Sequence, residues 1–231
     1  MAVCCLCRRG PPQSGWRGLC QLCLDRMAGF AVPSGGQGLY EYSDIVRDVV
    51  IAAKSRGDRS LLTGCWQIFS SPAQTLEAIS WADCVAAVPP SFWTRVRGRI
   101  HLGSWLASKL AASHRKPWLQ IDPPVFWRIR KQAMKSGRQR RGRTDDADVL
   151  NFRIRWRHGL QKRNNLRLLL VDDVITTGMT AAQVCSAIVR SRSATGGEIE
   201  VRVIALAQSA REAFADSSSL SQTLESPSVQ A

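Results

Sequence analysis

The stretch Leu168-Leu169-Leu170-Val171-Asp172-Asp173-Val174-Ile175-Thr176-Thr177-Gly178-Met179-Thr180 decides the fold. Its four leading apolar residues read as a strand buried on both faces, as in a parallel sheet covered by helices. Two carboxylates follow, then small hydroxyl residues around one glycine, then a helix over Met179 to Val189. This is a strand, a tight turn and a helix. In open α/β sheets, ligands sit at the carboxyl ends of the strands.

The turn has a definite chemistry. Thr176, Thr177, Gly178, Met179 and Thr180 bring hydroxyls and backbone N–H groups to a helix N-terminus, a ready site for a phosphate. Gly178 lets the backbone bend close to a ligand. Asp172 and Asp173 are acceptor-only groups, and a ribose cis-diol offers two donors. One phosphate at the turn and one diol at the acid pair describe a ribose 5-phosphate. An Asp-Asp pair that merely caps a helix explains less of the stretch.

Outward from this motif the pattern repeats. Cys84 to Val88 reads as a second buried strand, stopped by Pro89-Pro90. Trp118 to Ile121 and Ile199 to Ala207 read as further strands. Helical spacing marks Asp44 to Ser55, Leu61 to Phe69 and the Leu102, Leu106, Leu110 series. Strands alternating with helices imply an α/β domain around a parallel, Rossmann-like sheet. That domain is expected over 44–212, preceded by a Pro/Gly-rich linker over 33–43 and followed by a disordered Ser-rich tail over 213–231.

The N-terminal 1–32 stand apart. Cys4-x-x-Cys7 and Cys20-x-x-Cys23 form two pairs separated by twelve residues. Four thiolates make a closed tetrahedral shell suited to structural Zn2+. Such a site stabilises a segment too short for its own core. With no run of about 20 apolar residues and no signal-peptide pattern, the sequence predicts no membrane partner and a cytoplasmic location. In that compartment paired cysteines point to metal before disulfides.

The chain is strongly basic, with 32 Lys and Arg against 18 Asp and Glu, a net charge of +14. A polyanionic partner follows, either nucleic acid or a phosphorylated small molecule. Between residues 128 and 143 lie eight basic residues and no acid. Three readings of that segment stand open: a lid over a diphosphate, a nucleic-acid strip and a solvated loop.

The thirteen-residue stretch resembles the phosphoribosyl-diphosphate-binding motif of the type I phosphoribosyltransferases. The order of parts from Cys4 to about residue 208 resembles the ComF family, phosphoribosyltransferase-like proteins associated with competence for DNA uptake. That family has a Pro-Val-Pro strand end and an Arg-Gly-Phe-Asn-Gln loop. Here they read Ala87-Val88-Pro89 and Arg97-Gly98-Arg99-Ile100-His101.

The resemblance implies a type I phosphoribosyltransferase core behind a zinc ribbon. It implies Asp172 and Asp173 as catalytic residues beside the ribose, and Thr176 to Thr180 on the 5-phosphate. Arg95, Arg97, Arg99 and Lys54 would meet the diphosphate. Mg2+ would accompany phosphoribosyl diphosphate, and a nitrogenous base would be the acceptor. The motif itself carries no general base; by sequence the nearest candidate is His101, a lone histidine on a loop. The other reading is a non-catalytic module that senses a nucleotide or binds DNA or a competence protein.

Overall fold

The computed structural model describes residues 4, 6–7, 19–28, 30–31, 37–90, 94, 100–123 and 152–209. The elements, in chain order, begin with α1 (Gln21–Ala28), β1 (Gly38–Glu41), α2 (Asp44–Arg56), α3 (Arg59–Ser70), α4 (Ala73–Trp81) and β2 (Cys84–Ala87). They continue with α5 (Leu102–Ser113), β3 (Trp118–Asp122), β4 (Arg153–Arg155), α6 (His158–Gln161), β5 (Asn165–Ile175), α7 (Met179–Ser193) and β6 (Glu198–Gln208).

The six strands form one sheet in the order β1-β6-β5-β2-β3-β4. All neighbours are parallel except β4, which runs antiparallel to β3 at one edge. The α/β, mostly parallel architecture expected from the apolar strands is therefore present. No helix among the described residues is long and apolar enough to cross a membrane.

Alternation within the apolar runs divides the core in two. Val85, Ala87, Leu169, Val171 and Leu206 face one side, packed with α2, α3 and α5. Cys84, Ala86, Leu168 and Leu170 face the other, against Val184 and Ile188 of α7. A strand flanked by helices on both faces has no solvent side, so every residue from Leu168 to Asp173 is buried.

The topology makes a crevice. β2 and β5 are adjacent and in register from Cys84↔Leu168 to Ala87↔Val171. The chain leaves β2 for α5 on one face and leaves β5 for α7 on the other. That divergence opens a gap above the strand ends.

Three expectations change. The carboxylates do not follow the strand but lie within it, because β6 extends the ladder through Asp172↔Ala205 and Val174↔Ala207 to Ile175↔Gln208. Residues 38–41, expected as linker, form β1, which pairs with β6 from Gly38↔Ala205 to Glu41↔Gln208. A Cβ on Gly38 would stand 2.7 Å from Gln208 Cβ, so glycine serves close approach here as well as flexibility. The elements α1, α4, β4 and α6 were not anticipated. The basic 128–143 and the tail over 213–231 lie outside the described residues.

The sheet centre should be intolerant of truncation. Leu169→Ala, at a residue with no exposed surface, should cost about 2–5 kcal/mol in chemical denaturation, from lost transfer energy and the cavity left behind.

Candidate functional site

A cavity of about 530 Å3 occupies the crevice. Its floor is the end of β5, with Asp172 and Asp173. One wall is the turn Thr176, Thr177, Gly178 and Thr180, and another is Lys54 and Ser55 at the end of α2. Val88, Pro89, Thr94, Ile100 and His101 come from the segment between β2 and α5. Residues far apart in the chain, Lys54, His101 and Asp173, thus meet in one space. Met179 begins α7 beside the cavity, with its side chain about half exposed. Arg95, Arg97 and Arg99 lie outside the described residues.

The turn is built for backbone exposure. Gly178 caps α7 with φ 62 and ψ −15, a left-handed conformation that favours glycine. Glycine offers α7 no capping side chain, whereas Asp58 caps α3 and His101 caps α5. The first turn of α7, with its backbone N–H groups, lines the cavity.

The acid pair is tightly held. Asp173 N–H donates to Asp172 Oδ1 at 2.8 Å. Lys54 Nζ donates to Asp173 Oδ1 at 2.6 Å. Gly103 N–H donates to Asp173 Oδ2 at 3.4 Å, and His101 Nε2 lies 3.9 Å from the same oxygen. A Cβ on Gly103 would stand 3.0 Å from Asp173 N, so α5 begins close against the β5 backbone and a side chain there would be tight. Sequence reading named Asp172, Asp173 and Lys54 and missed Gly103. A glycine in the first turn of a helix, which costs helix stability, was its only signal.

His101 carries two linked roles. Its Nδ1 accepts from Ser104 N–H at 3.1 Å, capping α5. The proton of the neutral ring then sits on Nε2, facing the cavity and Asp173. Burial disfavours the imidazolium; Asp173 opposes this and Lys54 reinforces it, and the net pKa is lowered from 6.5. The oxygens of Asp172 and Asp173 and a ring nitrogen of His101 fall within 4.8 Å of one another, a spacing that could hold a cation.

The second candidate site is the four-cysteine cluster. Cys4 Sγ and Cys23 Sγ are 3.8 Å apart, and Cys7 Sγ and Cys20 Sγ are 3.5 Å apart. Zn–S bonds of about 2.3 Å in a tetrahedron require S···S edges of about 3.8 Å. The cluster fits a structural metal of that kind. Burial alone would raise the Cys4 thiol, but N–H groups of Cys7, Cys20 and Leu6 outweigh it and bring the pKa to about 6.

Cys20 opens into α1, and Met27 of α1 joins Leu19 and Cys4 in the same core as α2 and the sheet. Arg26 Nη2 reaches Asp44 Oδ2 at 2.7 Å, and Glu41 N–H donates to Phe30 O at 2.7 Å. The cysteine module is welded to the sheet edge through α1, α2 and β1.

Comparison with known protein families and with curated proteins finds no match. Among solved structures the chain is similar to the crystal structure of orotate phosphoribosyltransferase from Aeropyrum pernix. They share 16% identity at a TM-score of 0.37, over 78% of this chain and 84% of that one. The fold assignment stands on the strand order and not on this likeness.

Two measurements test these sites. In an NMR titration, His101 should titrate below its ordinary 6.5. The unfolded chain then binds the extra proton first, so this residue's contribution to stability should fall as pH drops through and below about 6.5. The purified chain should carry one zinc per molecule by mass spectrometry. A chelator should lower the melting temperature by at least about 5 °C, the shift that about 2 kcal/mol produces at this size.

Proposed function

We propose that the chain is a phosphoribosyltransferase-like protein that binds phosphoribosyl diphosphate or a nucleotide in the crevice. One observation carries the reading: a single cavity is lined by the acid pair and by the glycine-capped helix turn, Asp172 and Asp173 with Thr176, Thr177, Gly178 and Thr180. Thr176 to Thr180 would hold the 5-phosphate through hydroxyls and backbone N–H groups. Asp172 and Asp173 would accept from the ribose diol. Their carboxylates, sheltered at the cavity floor, suit stabilisation of a sugar that becomes cationic as its leaving group departs.

In the transfer reaction a nitrogen of the acceptor base attacks the anomeric carbon, and the bond to diphosphate breaks. The acceptor's proton is released, and His101, on the cavity wall, is a candidate to receive it at Nε2, after a change of tautomer that gives up the bond from Ser104 N–H. Ser104 Oγ, 2.9 Å from Nδ1, could accept the proton of that alternative tautomer. Mg2+ travelling with the diphosphate would offset its charge. Arg95, Arg97 and Arg99 would meet the diphosphate. The first 32 residues would serve as a zinc-stabilised module on the 44–212 domain. Membership of the ComF family, a role in competence and a cytoplasmic location belong to this reading.

The net charge of +14 supports a second reading, a module with a nucleic-acid or protein partner that keeps the pocket without turnover. The exposed Arg153, Arg155 and Arg157, two residues apart along and just beyond the edge strand β4, add to it.

Asp172→Asn with Asp173→Asn tests the pocket that both readings keep, and diphosphate release with a purine or pyrimidine base separates turnover from binding alone. The double variant should lose phosphoribosyl diphosphate affinity at least about tenfold in calorimetry, about 1.4 kcal/mol, with its zinc retained. Wild-type affinity in that variant would sink the pocket assignment. DNA binding that survives it, with a steep salt dependence, would favour the second reading.

A further inference from the structure

The sheet ends unevenly at β6. That strand runs over Glu198–Gln208, but β1 pairs with it only from Ala205 to Gln208. Among the described residues no strand or isolated bridge covers the outer edge of Glu198 to Val203. Burial changes at the same point. Ile204 to Ala207 are buried, whereas Ile199, Val201 and Val203 are half-buried and Glu198, Glu200 and Arg202 are exposed.

Two hydrogen bonds fix which backbone groups look outward. Glu198 N–H donates to Asn164 O, on the β5 side, and Ala205 N–H donates to Gln37 O, on the β1 side. Alternation along the strand then turns the N–H and C=O groups of Ile199, Val201 and Val203 into the open edge. Open edges are commonly blunted by proline, lysine or a bulge. Residues 198–203 contain neither proline nor lysine, and the register with β5 is unbroken from Asn165↔Glu198 to Asp172↔Ala205.

This edge is complementary to itself. Set antiparallel to a second copy about a two-fold axis at Val201, Ile199 faces the partner's Val203 and Val201 faces the partner's Val201. Both are pairs of outward residues, which exchange N–H···O=C bonds. Glu200 faces the partner's Arg202 in the closer, non-hydrogen-bonded kind of pair, where opposite charges attract. Moving the axis one residue, to Glu200, would set that carboxylate against its own copy. Arg202 is already ordered, with its guanidinium 4.2 Å from the centre of the Trp81 ring and 3.5 Å from Glu200 Oε1. The pairing stops at Val203, where β1 takes over.

We propose that the open edge of β6 is a homodimer interface: two copies join antiparallel along Ile199 to Val203 and form one continuous sheet. The edge belongs to the amino-terminal half of β6, whereas the cavity lies at the carboxyl ends of the strands, so the dimer is independent of any ligand.

Sedimentation velocity of the full, zinc-loaded chain from about 1 to 100 μM tests the edge, a range suited to a small interface. Wild type should pass from monomer to dimer as concentration rises. Val201→Pro removes an outward donor that β5 does not use, and should weaken the dimer at least about tenfold. Arg202→Glu should weaken it about as much by setting acid against acid, and serves if the proline variant unfolds. Exchanging the pair, Glu200→Arg with Arg202→Glu, should restore wild-type association within about threefold. Monomer throughout the range, open-ended assembly, a dimer untouched by both single changes, or an exchange that restores nothing would each overturn the proposal.

Discussion

The crevice depends on one topological constraint: β2 and β5 lie side by side, yet their chains leave to opposite faces of the sheet. Parallel pairing forces both strands to end at the same side. The divergence of α5 and α7 then leaves a gap that the described backbone does not fill. The floor of that gap is whatever residue type sits at the end of β5, and here it is two carboxylates.

Placing Asp172 and Asp173 inside the ladder has an energetic consequence. Carboxylates in a strand that is buried on both faces lose water and need donors. The fold supplies them from three separate elements: the backbone of β5 itself, the N-terminus of α5 and the end of α2. The same contacts that satisfy the acids draw α2 and α5 to the strand ends. Site electrostatics and helix docking are one set of interactions here, and a change at Gly103 or Lys54 acts on both.

The cysteine module belongs to the same mechanical unit. Its α1 packs on α2, the helix that carries Lys54, and its chain then enters β1 on the sheet edge. Arg26 of α1 meets Asp44 at the amino end of α2, and Lys54 reaches Asp173 from the last turn of the same helix.

Long apolar runs and glycine-bearing turns were legible in the sequence because their patterns depend on local chemistry. Leu168 to Val171, Cys84 to Ala87, the α7 turn and the paired cysteines all fall in this class, and with them the α/β class of the fold. Elements without a hydrophobic period were not legible. Arg153 to Arg155 becomes a strand only because β3 offers an edge, and Gly38 to Glu41 only because β6 does. Sequence alone marked Asp172, Asp173 and the threonine turn as one site, since they are neighbours in the chain. Only tertiary structure decided that Lys54 and His101 converge on Asp173, because contacts across 119 and 72 residues arise from how helices dock on a sheet, which no local pattern records.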